Sequence, residues 1–194
     1  MATNEERREA TRARILAAAR EGFTRDGYEE THTSSILEQA DISRGALYHH
    51  YASKRDVFEA VYVAVVEESI AHAVGAGQES DSPLEDLIAG CLAWLRWVRK
   101  PQVSKILIVQ GPQVLGLKRA RDIEAKSSLA PMRRSLERAC AAGEIEVPSV
   151  EVTALLINAL LAETALIAVY SNPRVPVAEQ EASVRKFLAG LKSG

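Results

Sequence analysis

Cysteine is scarce in this chain, and its scarcity excludes two kinds of structure. The 194 residues contain only Cys91 and Cys140, which lie far apart in the sequence. They therefore form neither a disulfide framework nor the paired-cysteine knuckle of a metal site. This usage predicts a reduced, cytoplasmic setting. The charged N-terminus has no apolar signal core, so we do not expect secretion.

A surplus of basic residues is also missing. The chain has 24 Lys and Arg against 26 Asp and Glu, which gives a formal net charge of -2. Any binding to nucleic acid must therefore come from a local basic patch, because the field of the whole molecule is not positive.

The sequence has no sustained period-two alternation and few hairpin signals, while apolar residues recur at spacings of three and four. The predicted fold class is all-α, with about nine helices. Helices are expected at 5–25, 33–40, 43–51, 53–74, 83–99, 118–142, 149–170 and 177–192, with a loop at 75–83 and a broken region after Pro101. Pro131 predicts a kink or a break. Ser43, Ser53 and Ser82 are expected to cap their helices, and Ser149 is expected to open the helix at 149–170. At Ser82 the start is strengthened by Pro83 in the first turn and by Glu85 as a capping-box acid.

A long apolar segment, 152–169, is long enough to suggest a membrane span. It carries Asn158, Glu163 and two threonines, and a buried core or subunit-interface helix has the same composition. We therefore expect no membrane partner.

Two units are predicted. Residues 1–56 form a compact three-helix unit, the N-terminal unit, and residues 57–194 form a larger helical bundle. The fourth helix joins them without a flexible linker, so movement in the bundle is expected to reach the N-terminal unit.

Two short helices joined by a tight turn at Asp41 and Ile42 predict a helix-turn-helix over about 32–51. The second short helix contains "SRGALYHHY", and a helical wheel places Leu47 and Tyr51 on its inner side. The opposite side and one flank carry Arg44, Gly45, Ala46, Tyr48 and His49. In this motif the second helix lies in the DNA major groove.

The outward residues have suitable chemistry for that groove. Gly45 allows close approach of the backbone, Ala46 suits a thymine methyl group, and the fork of Arg44 matches guanine or phosphate. Lys54 adds a positive charge at the start of the next helix. Other interpretations are a metal site or a catalytic histidine at His49 and His50, for which no partner residues are recognisable. The residues alone also leave open an ordinary solvated helix surface.

Residues 11–62 resemble the DNA-binding domain of the tetracycline-repressor (TetR) family. The "GY" after the first helix, "SRGALYHHY" and the "SK" that opens the fourth helix carry the resemblance. Asp41 stands where the family usually has glycine, Tyr51 replaces phenylalanine, and Ser34 and Ser35 replace a charged pair. The expected DNA-contacting residues are Thr33, Ser34, Ser43, Arg44, Gly45, Ala46, Tyr48, His49 and Lys54.

The resemblance also implies that the bundle dimerises and binds a small molecule. Candidate ligand-binding residues are Trp94, Trp97, Gln110, Gln113, Asn158 and Glu163, although tryptophans of this kind often serve packing alone. Glu163, in an apolar helix, is expected to need a partner across the dimer or a cationic ligand. No metal and no cofactor are expected.

The sequence therefore predicts a homodimeric transcriptional regulator, a repressor released from a near-palindromic operator by a small-molecule effector. Two alternatives remain at this point. One is a DNA-binding regulator without an effector. The other is a helical enzyme or binding protein, although the sequence contains no recognisable set of acid, base, nucleophile or metal ligands.

Overall fold

The computed structural model describes residues 3–77, 80–171 and 174–192. Within these ranges the chain forms nine helices and no β-strand. They are α1 (Asn4–Arg25), α2 (Thr33–Ala40), α3 (Arg44–His50), α4 (Lys54–Ala76), α5 (Pro83–Val98), α6, α7 (Leu117–Ala141), α8 (Val150–Tyr170) and α9 (Val177–Ala189). The helix α6 is continuous but changes its winding, and its parts are Pro101–Ser104, the π-helix Lys105–Gln110 and Gly111–Leu115. The predicted all-α class is confirmed.

Serine side chains begin several of these helices, as the sequence predicts. The Oγ atoms of Ser43, Ser53, Ser82 and Ser149 each accept a hydrogen bond from a backbone N–H in the first turn. Such a bond satisfies one of the donors that every helix start leaves free. The capping-box role predicted for Glu85 is wrong, because the N–H of Ser82 donates to Ser80 Oγ at 3.2 Å and Glu85 pairs with Arg185.

Other boundaries differ from the prediction. The third helix ends at His50, since Tyr51 has extended backbone angles, and α9 ends at Ala189. The helix α7 continues through Pro131 without a break, although proline removes one backbone hydrogen bond. Gln78 and Glu79 of the predicted loop lie outside the described residues, as do Asn172 and Pro173.

Buried side chains form two hydrophobic clusters. The first joins α1–α4 to α6 and α7 and includes Phe23, Leu47, Phe58, Tyr62 and Ile106. It continues across the predicted boundary after residue 56, which falls inside α4. The second joins α5, α7, α8 and α9. Trp94 packs against both clusters, so α5 lies between the two halves of the interior.

Candidate nucleic-acid interface and ligand cavity

A left-handed residue makes the turn between α2 and α3. Asp41 has φ 49° and ψ 57°, and its N–H donates to the carbonyls of Glu38 and Leu37. Aspartate tolerates this region because its short polar side chain can bond locally. Arg14 of α1 donates to the Asp41 carbonyl at 3.3 Å. Asp41 therefore supplies a left-handed backbone conformation that glycine adopts more readily than other residues.

Only one side chain of α3 anchors the helix in the core. Leu47 is 2% exposed and belongs to the first cluster, while Ser43 Oγ accepts from the Ala46 N–H at 3.2 Å. Tyr51, which follows the helix, receives a hydrogen bond on its hydroxyl from Nε of Arg12 at 3.3 Å. That bond provides the partner that a tyrosine in place of phenylalanine requires.

The outward side of α3 is open to solvent. Arg44, Gly45, Tyr48 and His49 are exposed, and Ala46 is half-buried. The guanidinium carbon of Arg44 lies 5.6 Å from the centroid of the Tyr48 ring. In the part of the chain that the structure describes, Arg44 has no acidic partner within ion-pairing distance, so its positive charge is unneutralised. Ser34 and Ser43 are also exposed, while Thr33 is half-buried.

Lys54 is more constrained than the sequence suggests. Its Nζ donates to the carbonyls of Tyr28 at 2.8 Å and Glu29 at 3.3 Å, and lies 4.3 Å from the centroid of the Tyr28 ring. Two of its three N–H donors thus hold the segment after α1 against the start of α4. One donor remains for a further partner.

His50, which the sequence leaves without a role, faces α1. It lies beside Arg8, Arg12 and Tyr51 in a small polar recess. Burial lowers the pKa of His50, and the nearby His49, Arg8 and Arg12 lower it further. The same recess includes the acidic residues Glu5 and Glu9 of α1.

A cavity of about 230 Å³ lies inside the bundle, enclosed by α4, α5, α6, α7 and α8. Two of the predicted ligand residues, Trp94 and Asn158, line it. Most of its wall is apolar, and its apolar lining includes Val66, Ile70, Leu87, Cys91, Leu107, Ile108, Met132 and Leu161. Burial raises the pKa of the Cys91 thiol to about 12, so this cysteine packs as a small apolar side chain.

The other four predicted ligand residues lie outside the cavity. Gln110 is buried, and its Nε2 donates to the carbonyls of Phe23 at 3.0 Å and Lys105 at 3.1 Å. The Trp97 ring lies 4.3 Å from that of His72, with Nζ of Lys100 at 3.4 Å from its centroid. Gln113 and Glu163 are exposed on the surface of the monomer.

Sequence reasoning missed the ionisable group of the cavity wall. Glu124 of α7 lines the cavity and accepts a hydrogen bond from the hydroxyl of Tyr62 on α4. Burial raises the pKa of Glu124, although the Tyr62 bond and Arg121 act against that rise. Glu124 is one turn from the buried Ala120 and Ser128, and this i, i+4 spacing was the available signal that it faces inward.

Side chains of α6 and α4 fasten the N-terminal unit to the bundle. Lys105 donates to the Arg25 carbonyl at 2.8 Å, and Gln110 holds the Phe23 carbonyl. In the other direction, Arg55 donates to the carbonyls of Val114 and Leu115, each at 3.1 Å. These bonds tie the end of α1 and the start of α4 to α6.

An apolar face of α8 and α9 is uncovered. The exposed side chains are Val152, Leu155, Leu156, Ile167, Tyr170, Val177 and Phe187. By length and composition α8 is also apolar enough to cross a membrane, with a mean hydropathy of 2.1. The same exposed side of α8 carries Glu163. Within the described ranges, no group of three or more His, Cys, Asp or Glu residues is arranged to hold a metal ion.

Comparison with known proteins covers both halves of the chain. Residues 15–61 match the family "Bacterial regulatory proteins, tetR family", and residues 84–191 match "Tetracyclin repressor-like, C-terminal domain". The HTH-type transcriptional regulator UidR of Escherichia coli K12 is 39% identical over 61 residues, which are 31% of this chain and 31% of that protein.

Two further similarities extend over more of the chain. The HTH-type transcriptional regulator SrpR of Pseudomonas putida is 32% identical over 144 residues, 72% of this chain and 65% of that protein. This chain therefore matches less than two thirds of the length of either curated relative. A solved TetR-family transcriptional regulator from Pectobacterium atrosepticum has a TM-score of 0.84 and 28% identity, and the similarity covers 100% of this chain and 99% of that one.

Proposed function

The chain belongs to the TetR family of bacterial helix-turn-helix transcriptional regulators, and from that premise we propose that it is a homodimeric repressor released from a near-palindromic operator by a small-molecule effector. The unneutralised, solvent-exposed side of α3 is the observation that carries this proposal. The protein acts by binding DNA and has no enzymatic role.

The proposed DNA-contacting residues are Thr33, Ser34, Ser43, Arg44, Gly45, Ala46, Tyr48, His49 and Lys54. Arg44 supplies the guanidinium fork for a guanine edge or a phosphate. Gly45 removes the side chain that would hold the backbone away from the groove. The third N–H of Lys54 and the N-terminus of α4 are directed to the phosphate backbone.

The uncovered apolar face of α8 and α9 supports the dimer. A two-fold axis through this face pairs the same surface on both subunits and brings two α3 helices to one side of the assembly. Such a pair reads half-sites about 34 Å apart. A membrane is a poorer partner for this face, because an ionised side chain in the middle of a span costs on the order of 3 kcal/mol and Glu163 would be there.

The cavity in the bundle supports the proposal that a small-molecule effector binds there. Its wall includes Val66, Ile70 and Ala73 of α4, and α4 runs without interruption to Lys54 at the proposed DNA surface. A ligand that fits one position of α4 better than another shifts the separation of the two α3 helices, and with it the affinity for DNA.

Gel shifts on the DNA that flanks the gene of this protein test the DNA surface. Arg44→Ala and Tyr48→Ala should each weaken binding by about 5-fold to 150-fold, since a good base contact contributes about 1–3 kcal/mol. Arg133→Ala, which removes a surface arginine of α7, is the matched control and should stay within twofold. Equal binding by all three variants would show that α3 does not read the DNA.

Sedimentation of the full chain tests the dimer. Leu156 is 66% exposed on α8, and Leu117 is 56% exposed at the start of α7. Leu156→Glu should give a monomer, because it buries a charge in the proposed interface. Leu117→Glu should leave the dimer intact. A dimeric Leu156→Glu protein would place the interface elsewhere.

A further inference from the structure

The size of the cavity limits what can enter it. Its volume of about 230 Å³ lies between the ~150 Å³ of an engineered cavity that holds benzene and the ~300 Å³ at which sites for drug-sized ligands begin. The occupant is therefore a compact molecule of one or two rings, or an aliphatic body of similar bulk. The apolar wall, which includes Trp94, favours a largely hydrophobic body.

Most polar groups of the wall already have partners. Ser69 Oγ donates to the Val66 carbonyl at 2.7 Å, and Ser128 Oγ donates to Oδ1 of Asn158 at 3.0 Å. Asp86 accepts from the N–H and the Oγ of Ser80, and Arg138 lies at 3.4 Å from its other oxygen. These groups therefore do not need a ligand to satisfy their hydrogen bonds.

Glu124 is the exception. Among the described residues, no basic side chain lies within 4.0 Å of its carboxylate, and its only hydrogen bond is the one from Tyr62 to Oε1. The second oxygen, Oε2, has no donor in this part of the chain. A partly buried carboxylate without a counter-ion is costly, and a ligand cation would offset that cost.

The charged residues that line the cavity suit a cationic ligand. The two acidic groups of the wall are the inward Glu124 and the buried Asp86, whereas Arg134 and Arg138 have side chains exposed at the surface. Water screens the exposed arginines more strongly than the enclosed carboxylates. Asp86 is already paired with Arg138, so Glu124 carries the negative charge of the wall that no described basic side chain contacts, and it would repel an anionic ligand.

Building on the proposed effector role of the cavity, we propose that the effector is a compact organic cation whose ammonium or amidinium group binds Glu124. The cation donates to Oε2 and forms the ion pair that the protein lacks, while Trp94 and the apolar wall enclose its body. No covalent step is involved.

The same contact reaches α4 through Tyr62. A cation on Oε2 of Glu124 neutralises the carboxylate and so weakens the charge-assisted hydrogen bond that Oε1 accepts from the Tyr62 hydroxyl. The Tyr62 ring is fully buried against Gly111, at whose position a Cβ would lie 2.2 Å from Cε2. The Tyr62 ring centroid is 6.4 Å from that of Phe58, which is 5.2 Å from that of Phe23 and 5.3 Å from that of Tyr28. Tyr62 is thus a positioning residue between the cavity and the segment that Lys54 holds.

Calorimetric titration of the full-length protein with three molecules of similar shape tests the ligand class. Phenethylamine is the cation, 2-phenylethanol the neutral isostere and phenylacetate the anion. We expect the amine to bind at least tenfold more tightly than the alcohol, the factor expected for a charge-assisted hydrogen bond, and phenylacetate to bind most weakly. Equal binding of amine and alcohol, or tighter binding of phenylacetate, would overturn the proposal.

Glu124→Gln keeps the shape of the side chain and an acceptor for Tyr62, so it isolates the charge. It should weaken amine binding at least tenfold, while the affinity for the alcohol should stay within threefold of the wild-type value. Glu137→Gln, an exposed acid-to-amide change on the same helix, should leave both unchanged. An unaltered amine affinity in a folded Glu124→Gln protein would rule out Glu124 as the anchor.

Gel shifts with and without phenethylamine separate this proposal from the proposed function. Tyr62→Phe keeps the ring and should still bind the amine, but the amine should release DNA less completely than from the wild type. If 2-phenylethanol released DNA as readily as phenethylamine does, the cavity would still be an effector site, but the proposal that the effector is a cation would be wrong. If the protein bound the amine selectively and through Glu124 but bound no DNA, the cationic-ligand proposal would stand and the proposed repressor function would be wrong.

Discussion

The helices α3 and α4 begin in the same way and bury very different shares of their side chains. Each starts at a serine whose Oγ accepts a backbone N–H at 3.2 Å. Of α3 only Leu47 is buried, whereas α4 buries residues from Val57 to Ser69 along one side and lines the cavity with others. Substitutions of the outward residues of α3 are thus expected to change the free energy of unfolding very little. Substitutions in α4 are expected to change both stability and the proposed regulation.

The difference between α3 and α4 should be largest when one aromatic side chain in each helix is replaced by alanine. Phe58 is 0% exposed and its ring contacts those of Phe23, Tyr28 and Tyr62, whereas Tyr48 is 44% exposed. Phe58→Ala should lower the free energy of unfolding by about 3–5 kcal/mol, and Tyr48→Ala by less than about 0.5 kcal/mol. Urea denaturation measures both, and similar losses in the two variants would contradict the comparison.

A smaller effect should follow from a methyl group placed against α4. Gly111→Ala forces a Cβ onto the buried Tyr62 ring and should cost about 1–3 kcal/mol. Gly75, within α4, has no atom within 4 Å of its would-be Cβ. Gly75→Ala should therefore stabilise the protein by up to about 1 kcal/mol, the helix-propensity difference. Thermal unfolding distinguishes the opposite signs, and a stabilising Gly111→Ala would mean that Tyr62 is not tightly enclosed.

The smallest effect concerns the two capping serines. Ser43→Ala and Ser53→Ala each remove one cap, which contributes about 1 kcal/mol. In α3 the loss should appear as local opening, because a single buried residue holds that helix, whereas in α4 it should lower global stability. Native-state hydrogen exchange reports this difference. Identical exchange patterns in the two variants would show that α3 and α4 open as one unit.

The sequence predicted features that depend on neighbouring residues better than features that depend on distant ones. The capping serines, the turn at Asp41 and the inward position of Leu47 follow from residues a few positions apart, and the structure confirms them. Periodicity also separated most helices correctly, because apolar spacing is a local property.

Features that need distant residues were missed. Tyr62 and Glu124 meet across 62 positions of the chain. The spacing of Glu124 from Ala120 and Ser128 shows which way it faces, but it does not show that Tyr62 is its partner. The π-helix Lys105–Gln110 was missed because its wider turn has no signature in apolar spacing. That winding accompanies a buried Gln110, whose Nε2 donates to the Phe23 carbonyl of α1.

The bonds between α6 and the N-terminal unit have a consequence for protein engineering. Lys105, Gln110 and Arg55 all donate to main-chain carbonyls, and every amino acid supplies a carbonyl. The residues on the accepting side are therefore free to diverge while the joint persists. A chimera that carries the first 56 residues of a relative on this bundle should keep its joint if an arginine remains at position 55, so the same bundle can be combined with a different DNA-binding unit.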